Sequence, residues 1–210
     1  MIENAANRIT PSFRRNRRLQ ALATLFAVVW VVSAIAPEDR FDWFLENLLV
    51  FLAVGLLGFF YRTRPLSDLS YALIVLFLLL HALGAHYTYS KVPLGFWIQE
   101  WLSLDRNHFD RIVHFSFGLL VFYPVREALF RYAGASLPLS AFTSLTVIAT
   151  ASVLYEIIEW IVAAMVSPEA AMAYLGTQGD VFDAQKDSVL AIIGGGLGFL
   201  ITRGHFRRSV

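Results

Sequence analysis

An all-α, polytopic membrane bundle of six transmembrane helices is the fold class this sequence predicts, and three observations predict it. Hydrophobic residues fill 57% of the 210 positions and charged residues only 16%, against about 25% charged in ordinary soluble domains; the mean hydropathy is +0.59. Apolar stretches near the length of about 20 residues that crosses a bilayer recur along the whole chain. Lys and Arg gather in alternate connections between those stretches. A chain of this length has room for one compact bundle, so one domain is expected over residues 19–203, with a basic cytoplasmic segment over 1–18 and a short cytoplasmic tail over 204–210.

The first expected span, about residues 19–36, follows a polar and basic stretch and is not trailed by a convincing small-residue cleavage site, so it is expected to stay as an anchor. The second covers about 43–61. The third, about 69–87, carries His81 and His86 toward its end. The fourth, about 110–131, opens on Asp110 and His114. The fifth, about 139–164, reaches Glu156 and Glu159 some 17–20 residues in, close to the far interface at about 1.5 Å per residue. The sixth covers about 186–202, after a segment rich in acids. The connection over about 88–109 is the longest, and Phe96, Trp97 and Trp101 suit either a headgroup-level belt or a lid.

Orientation follows from the cations. Twelve of the seventeen Lys and Arg residues lie in the two termini and in the second and fourth connections, which places both termini in the cytoplasm. The acids show the reverse bias: thirteen of sixteen map to the outer side or outer span ends. Acids contribute little to topology, so this asymmetry calls for a separate cause, and a functional outer pocket supplies one. Cysteine is absent, so any metal must be held by oxygen and imidazole. The scattered cations give no nucleic-acid face, and no nucleic-acid partner is expected.

Four polar groups carry the site expectation. Asp110 and His114 are an i,i+4 pair on one helix face, able to share an ion or to orient the imidazole, although an acid near the helix dipole with a satisfied histidine gives the same pattern. Glu156 and Glu159 are i,i+3 neighbours on an apolar helix and repel unless a cation, a proton or an arginine lies between them. If the last helix starts near Asp180, then Asp180, Asp183 and Asp187 line one stripe suited to an oxygen-seeking cation, or they simply decorate a helix start. His81 and His86 stand about 140° apart on an ideal helix, so both face one site only if the helix unwinds near Gly84; His86 is the favoured site member.

Each group is ambiguous singly, and their coincidence at one depth is the argument. Spans that run alternately outward and inward all place their ionisable residues at the outer end, and intramembrane ionisable residues normally face a bundle interior or a wet cavity. Arg106 and Arg111 serve there either to bind an anionic headgroup or to neutralise the acids. Gly194 and Gly198 lie within an apolar span and read as small-xxx-small helix packing rather than as a phosphate loop. No zincin, nucleophile-elbow or Walker A spacing occurs, and no internal repeat is evident.

Four blocks then carry a family resemblance: His81-x-x-Gly84-Ala85-His86-Tyr87-Thr88-Tyr89, Asp110-Arg111-x-x-His114-Phe115, Tyr155-Glu156-x-x-Glu159-Trp160 and Leu175-Gly176-Thr177-Gln178-Gly179-Asp180-x-x-Asp183-x-Gln185-x-Asp187. From about residue 20 to 202 the chain resembles the YjdF-like family of bacterial inner-membrane proteins. The resemblance implies a six-span protein of the cytoplasmic (inner) membrane and no established reaction. More distantly, the pattern is similar to VanZ-like proteins, associated with cell-surface glycopeptide resistance, and implies no particular substrate.

The leading expectation is an outward-facing pocket formed by His86, Asp110, His114, Glu156, Glu159, Asp180, Asp183 and Asp187, holding a divalent metal ion (Mg, Mn, Zn or Ca). The cation is expected to polarise a phosphoryl or ester group of a lipid-linked or envelope substrate, with Glu156 or His114 serving as general base. Membrane lipids are the expected surroundings. An ion-coupled transporter using the same groups, and a non-catalytic protein whose ionic network specifies packing, remain the alternatives.

Overall fold

A computed structural model describes residues 12–208. After a 3₁₀ turn at Phe13–Arg15 the chain forms α1 (Arg17–Ser33), α2 (Arg40–Tyr61), α3 (Asp68–His86), α4 (Pro93–Leu102), α5 (Phe109–Tyr132), α6 (Leu137–Met165), α7 (Pro168–Leu175) and α8 (Asp183–Arg208), with no strand among the described residues. Each expected span coincides with a helix to within a few residues, except that α8 continues well past residue 202. Five of the helices, α2, α3, α5, α6 and α8, are long and apolar enough to cross a membrane; α1 is shorter at 17 residues. Residues 1–11 of the expected basic segment and 209–210 of the expected tail lie outside the described residues.

Local chemistry sets the helix starts. The side chains of Asn16, Ser67, Ser136 and Ser167 accept hydrogen bonds from backbone amides in the first turns of α1, α3, α6 and α7. Asp39 accepts two at the start of α2, from Phe41 and Asp42. These are the groups that satisfy orphan amides at helix ends. Pro93 at the start of α4, and the Ser167-Pro168 pair at the start of α7, place proline where its missing N–H costs nothing. The long connection therefore holds a ten-residue helix, on which Trp97 and Trp101 stand 73% and 81% exposed, the disposition of an aromatic belt.

Helix α5 is the hub, packed against α3, α6 and α8, and its contact with α8 is the most extensive in the bundle. That contact is made by small residues. A Cβ on Gly118 would lie 1.8 Å from the Ala191 carbonyl oxygen, and one on Gly194 would lie 2.1 Å from that of Phe115. Within lipid no hydrophobic force draws helices together, so such close backbone approach is a main source of association. Gly198 meets Leu119 and Phe122 in the same seam, which gives the Gly194/Gly198 spacing its packing role.

At its two ends α1 is matched to α3. The Asn16 amide donates to Asp68 at 2.6 Å, and His86 bonds the Ser33 carbonyl at 2.9 Å. The two helices therefore run parallel and side by side over their whole length. The end of the bundle containing Asp68 has its own polar knot: Glu127 accepts from the Ser67 amide and hydroxyl and from Ser70, and pairs with Arg131 one turn on. Arg126 does not join that pair; it reaches the Leu137 carbonyl and lies over the Phe199 ring.

Candidate functional site

The other end of the bundle is organised by the loops that precede α5 and α8. Asn107, almost wholly buried, accepts from the Phe109 amide at 3.0 Å and donates to the Val92 carbonyl at 3.0 Å. It fits because Gly95 lacks a side chain; a Cβ there would stand 1.8 Å from the Asn107 Oδ1. The Asn107 amide donates to Gln178 Oε1 at 3.1 Å and Gln178 Nε2 donates back to the Asn107 carbonyl at 2.8 Å. This exchange sets the starts of α5 and α8 side by side.

Two arginines then take up two of the acids. Arg106 donates to both Asp183 oxygens, at 2.5 and 3.4 Å, and to the Thr177 carbonyl at 2.7 Å. Arg111 donates to Asp180, to Asp183 at 3.3 Å and to His108 Nδ1 at 3.0 Å. Lys186 reaches Asp180 at 2.5 Å. Lys186, the Phe182 amide and Arg111 hold the Asp180 carboxyl down at about 2. Burial, aided by Arg111 and Arg106, keeps the His108 imidazole below its ordinary range, consistent with its accepting from Arg111 as the neutral ring. Of the two roles open to Arg106 and Arg111, neutralising acids is the one the geometry displays.

The last helix starts at Asp183, not near Asp180, because residues 180–182 form a turn in which Asp180 accepts from the Phe182 amide at 3.1 Å. The expected single stripe is therefore divided. Asp180 and Asp183 face arginines, while Asp187, one turn further on, meets Asp110 and His114. One ligand atom from each of Asp110, His114 and Asp187 lies within 4.8 Å of the others. His114 Nε2 stands 3.5 Å from Asp110 Oδ1 and 3.4 Å from Glu156 Oε1. Asp187 is 2% exposed, and its Oδ1 has no hydrogen-bond partner. Three carboxylates thus surround one imidazole while the nearby arginines are engaged elsewhere. Such a set demands shared protons or a cation.

A second set adjoins it. The Tyr155 hydroxyl donates to Glu46 Oε2 at 2.8 Å, and Tyr89 donates to His81 Nδ1 at 2.5 Å. The other ring nitrogen of His81 lies 3.1 Å from the Glu46 carbonyl oxygen, which can only accept, so Nε2 carries the proton. Burial pushes the Tyr89 phenol well above its ordinary range, so it stays a donor. Asp42, one turn before Glu46, is 4% exposed with neither carboxylate oxygen hydrogen-bonded. Glu159 follows Glu156 by three positions and Tyr155 by four on α6, about one turn further along the helix.

His86, the histidine expected at the site, is held elsewhere. Helix α3 stays regular through His86 rather than unwinding at Gly84. The angular separation of the two rings therefore persists, and His81 is the one that faces inward. Gly84 instead makes room for the Tyr89 ring, 2.5 Å from where a Cβ would be.

Beside these groups lies a cavity of about 380 Å³ bounded by α2, α3, α5 and α6. Of the eight expected site residues only Asp110 and His114 line it. Most of its wall is hydrocarbon, contributed by residues such as Val50, Leu78, Val113 and Phe117; the expected acidic, wet chamber is in fact an apolar cavity with a polar end. Glu46, Asp42, Tyr89 and Tyr155 are not among the expected site residues, and His81 ranks there behind His86. The available signal was the pair Asp42 and Glu46, i,i+4 on an apolar helix at the same depth as the other acids.

The sequence profile of the family described as Predicted membrane protein (DUF2238) matches residues 18–208. The chain is 38% identical over 178 residues to a protein of Escherichia coli (strain K12) named Inner membrane protein YjdF, an alignment covering 84% of each chain. No solved structure matches.

Proposed function

The chain belongs to the DUF2238 family of membrane proteins, and on that premise we propose that it is a multi-pass inner-membrane protein whose Asp110–His114–Asp187 group binds a divalent cation used on a membrane-borne substrate. The observation that carries this reading is the unpartnered Oδ1 of buried Asp187 beside Asp110 and His114. Ligand atoms around one cation at 2.0–2.6 Å lie within about 5 Å of each other, so the spacing fits. A cation held there would polarise a phosphoryl or ester oxygen, and Glu156, whose Oε1 stands 3.4 Å from His114 Nε2, would take the proton of an attacking water. Glu159, Asp180, Asp183 and His86 act as supports rather than ligands.

The topology in this reading has six spans, with both termini in the cytoplasm and the acid-rich end outside. The end-to-end match of α1 with α3 supports a crossing by α1, whose 17 residues fall at the lower limit of about 17 for a spanning helix. The distribution of Lys and Arg supports the orientation. An ion carrier built from the same groups needs a path to the opposite side. Phe122 and Ile148, both wholly buried, lie on α5 and α6 between the cluster and Arg126, which favours the one-sided site.

Thermal unfolding of chelator-stripped protein in detergent tests the reading. Mn²⁺, Zn²⁺ or Mg²⁺ at 100-fold above its dissociation constant stabilises a single-site protein by about 2.7 kcal/mol. A saturable rise in Tm that disappears in Asp187→Asn supports the cation site. An identical response in the variant removes it.

A further inference from the structure

We propose that the cavity between α2, α3, α5 and α6 binds the hydrocarbon chain of a membrane lipid that enters sideways between α2 and α6. The proposal deepens the cation-site reading and rests on it only for the position of the lipid's reacting headgroup.

Three features lead to it. The wall of the cavity is chiefly hydrocarbon. Water needs two or more polar partners to occupy a buried site, and the polar residues that do line this one are gathered at one end and largely committed: His81 to Tyr89 and Glu46, Tyr155 to Glu46. Asp110, His114 and the Ser152 hydroxyl, which has no hydrogen-bond partner, are the polar lining groups not committed in this way, and the first two belong to the proposed cation site. The volume of about 380 Å³ lies within the range of about 300–1,000 Å³ typical of ligand pockets.

The side of the cavity that opens decides the occupant. Leu49 of α2 and Leu154 and Ile158 of α6 line it and are 37%, 52% and 43% exposed. Both helices are long and apolar enough to span the membrane, so this rim faces lipid rather than water. The two helices are bridged at the polar end by the Tyr155–Glu46 hydrogen bond, while the rim below is formed by unpaired aliphatic side chains. A chain lying there runs from Asp110 and His114 inward toward Ala53, Phe77 and Phe117, placing its headgroup at the carboxylates and its tail in the hydrocarbon wall.

Photolabelling tests this with the whole protein in vesicles of phosphatidylethanolamine and phosphatidylglycerol containing a trace of phosphatidylglycerol with a diazirine acyl chain. Tandem mass spectrometry then maps the labelled positions. Val50, Leu78 and Val113 line the cavity and are almost closed to the outer surface, whereas Leu52 and Val54 face outward. The expected result is label on the first three, reduced severalfold in Ala53→Phe, with Leu52 and Val54 labelled equally in both proteins. Label confined to outward-facing residues, or label at Val50 and Val113 indifferent to Ala53→Phe in folded protein, overturns the proposal; if that variant does not fold, the wild-type map decides. Mn²⁺ titration of the same preparation separates the two readings, because chain labelling without cation binding refutes the cation site and leaves the lipid site standing.

Discussion

The Tyr155 hydroxyl donates to the Glu46 carboxylate at 2.8 Å, joining α6 to α2 across 109 positions of sequence. Glu46 is 3% exposed, so its carboxylate depends on protein donors. Removing this donor leaves a buried acceptor unsatisfied, at a cost of about 1–3 kcal/mol. Tyr155→Phe is therefore expected to lower unfolding stability in mixed detergent micelles by about that amount, and Glu46→Leu combined with Tyr155→Phe by less than the sum of the two single changes. Strict additivity of the two would show that the bond contributes nothing.

Arg106 and Asp183 are both buried and bonded through both carboxylate oxygens. Breaking a buried pair from one side typically costs about 3–5 kcal/mol, because the remaining charge is uncompensated. Arg106→Ala should show a loss of that size, and Arg106→Ala with Asp183→Asn should recover part of it. Chemical unfolding of the three proteins measures this; equal stability of wild type and Arg106→Ala contradicts it.

Three glycines of the α5–α8 region make a graded test. Alanine at Gly118 or Gly194 places a methyl group within 2.1 Å of a backbone oxygen on the facing helix, whereas at Gly196 nothing lies within 4 Å. Overpacking of this kind costs about 1–3 kcal/mol. Gly196→Ala should instead be neutral, or stabilising by roughly 0.5–1 kcal/mol through the lower flexibility of the unfolded chain. Melting temperatures of the three variants check the order.

The pH dependence of the loop before α8 follows from Asp180. Its carboxyl is held below the ordinary value of 3.8, at about 2, by Lys186 first, then by the Phe182 amide and Arg111. A group whose folded pKa is depressed contributes stability above its unfolded pKa and loses it as pH falls through the folded value. The Tm difference between wild type and Asp180→Asn should thus be constant above about pH 5, where the unfolded carboxyl is ionised, and should close as the pH drops toward 2. A difference that instead grows on acidification contradicts this sign.

The helices were legible because apolar length is a local property, and the Asp110/His114 pair because i,i+4 spacing fixes a shared face wherever the helix lies. What escaped was set by partners distant in sequence. The division of Asp180 and Asp183 from Asp187 depends on Arg106 and Arg111, about 70 positions away, and on a turn at residues 180–182 that delays the helix. The choice between His81 and His86 depended on whether α3 unwinds, which composition does not reveal. Glu46 is met by Tyr155, 109 positions away, so its role is not visible in local spacing. The apolar cavity needs side chains from four helices and has no linear signature.

Elemental analysis of the detergent-purified protein beside Asp110→Asn/Asp187→Asn tests the central proposal most directly. The account predicts a stoichiometric divalent metal with the wild type and its loss from the folded double variant. Wild-type protein that remains metal-free after dialysis against Mg²⁺, Mn²⁺, Zn²⁺ and Ca²⁺ in turn would contradict it, and would leave shared protons as what holds Asp110, Glu156 and Asp187 together.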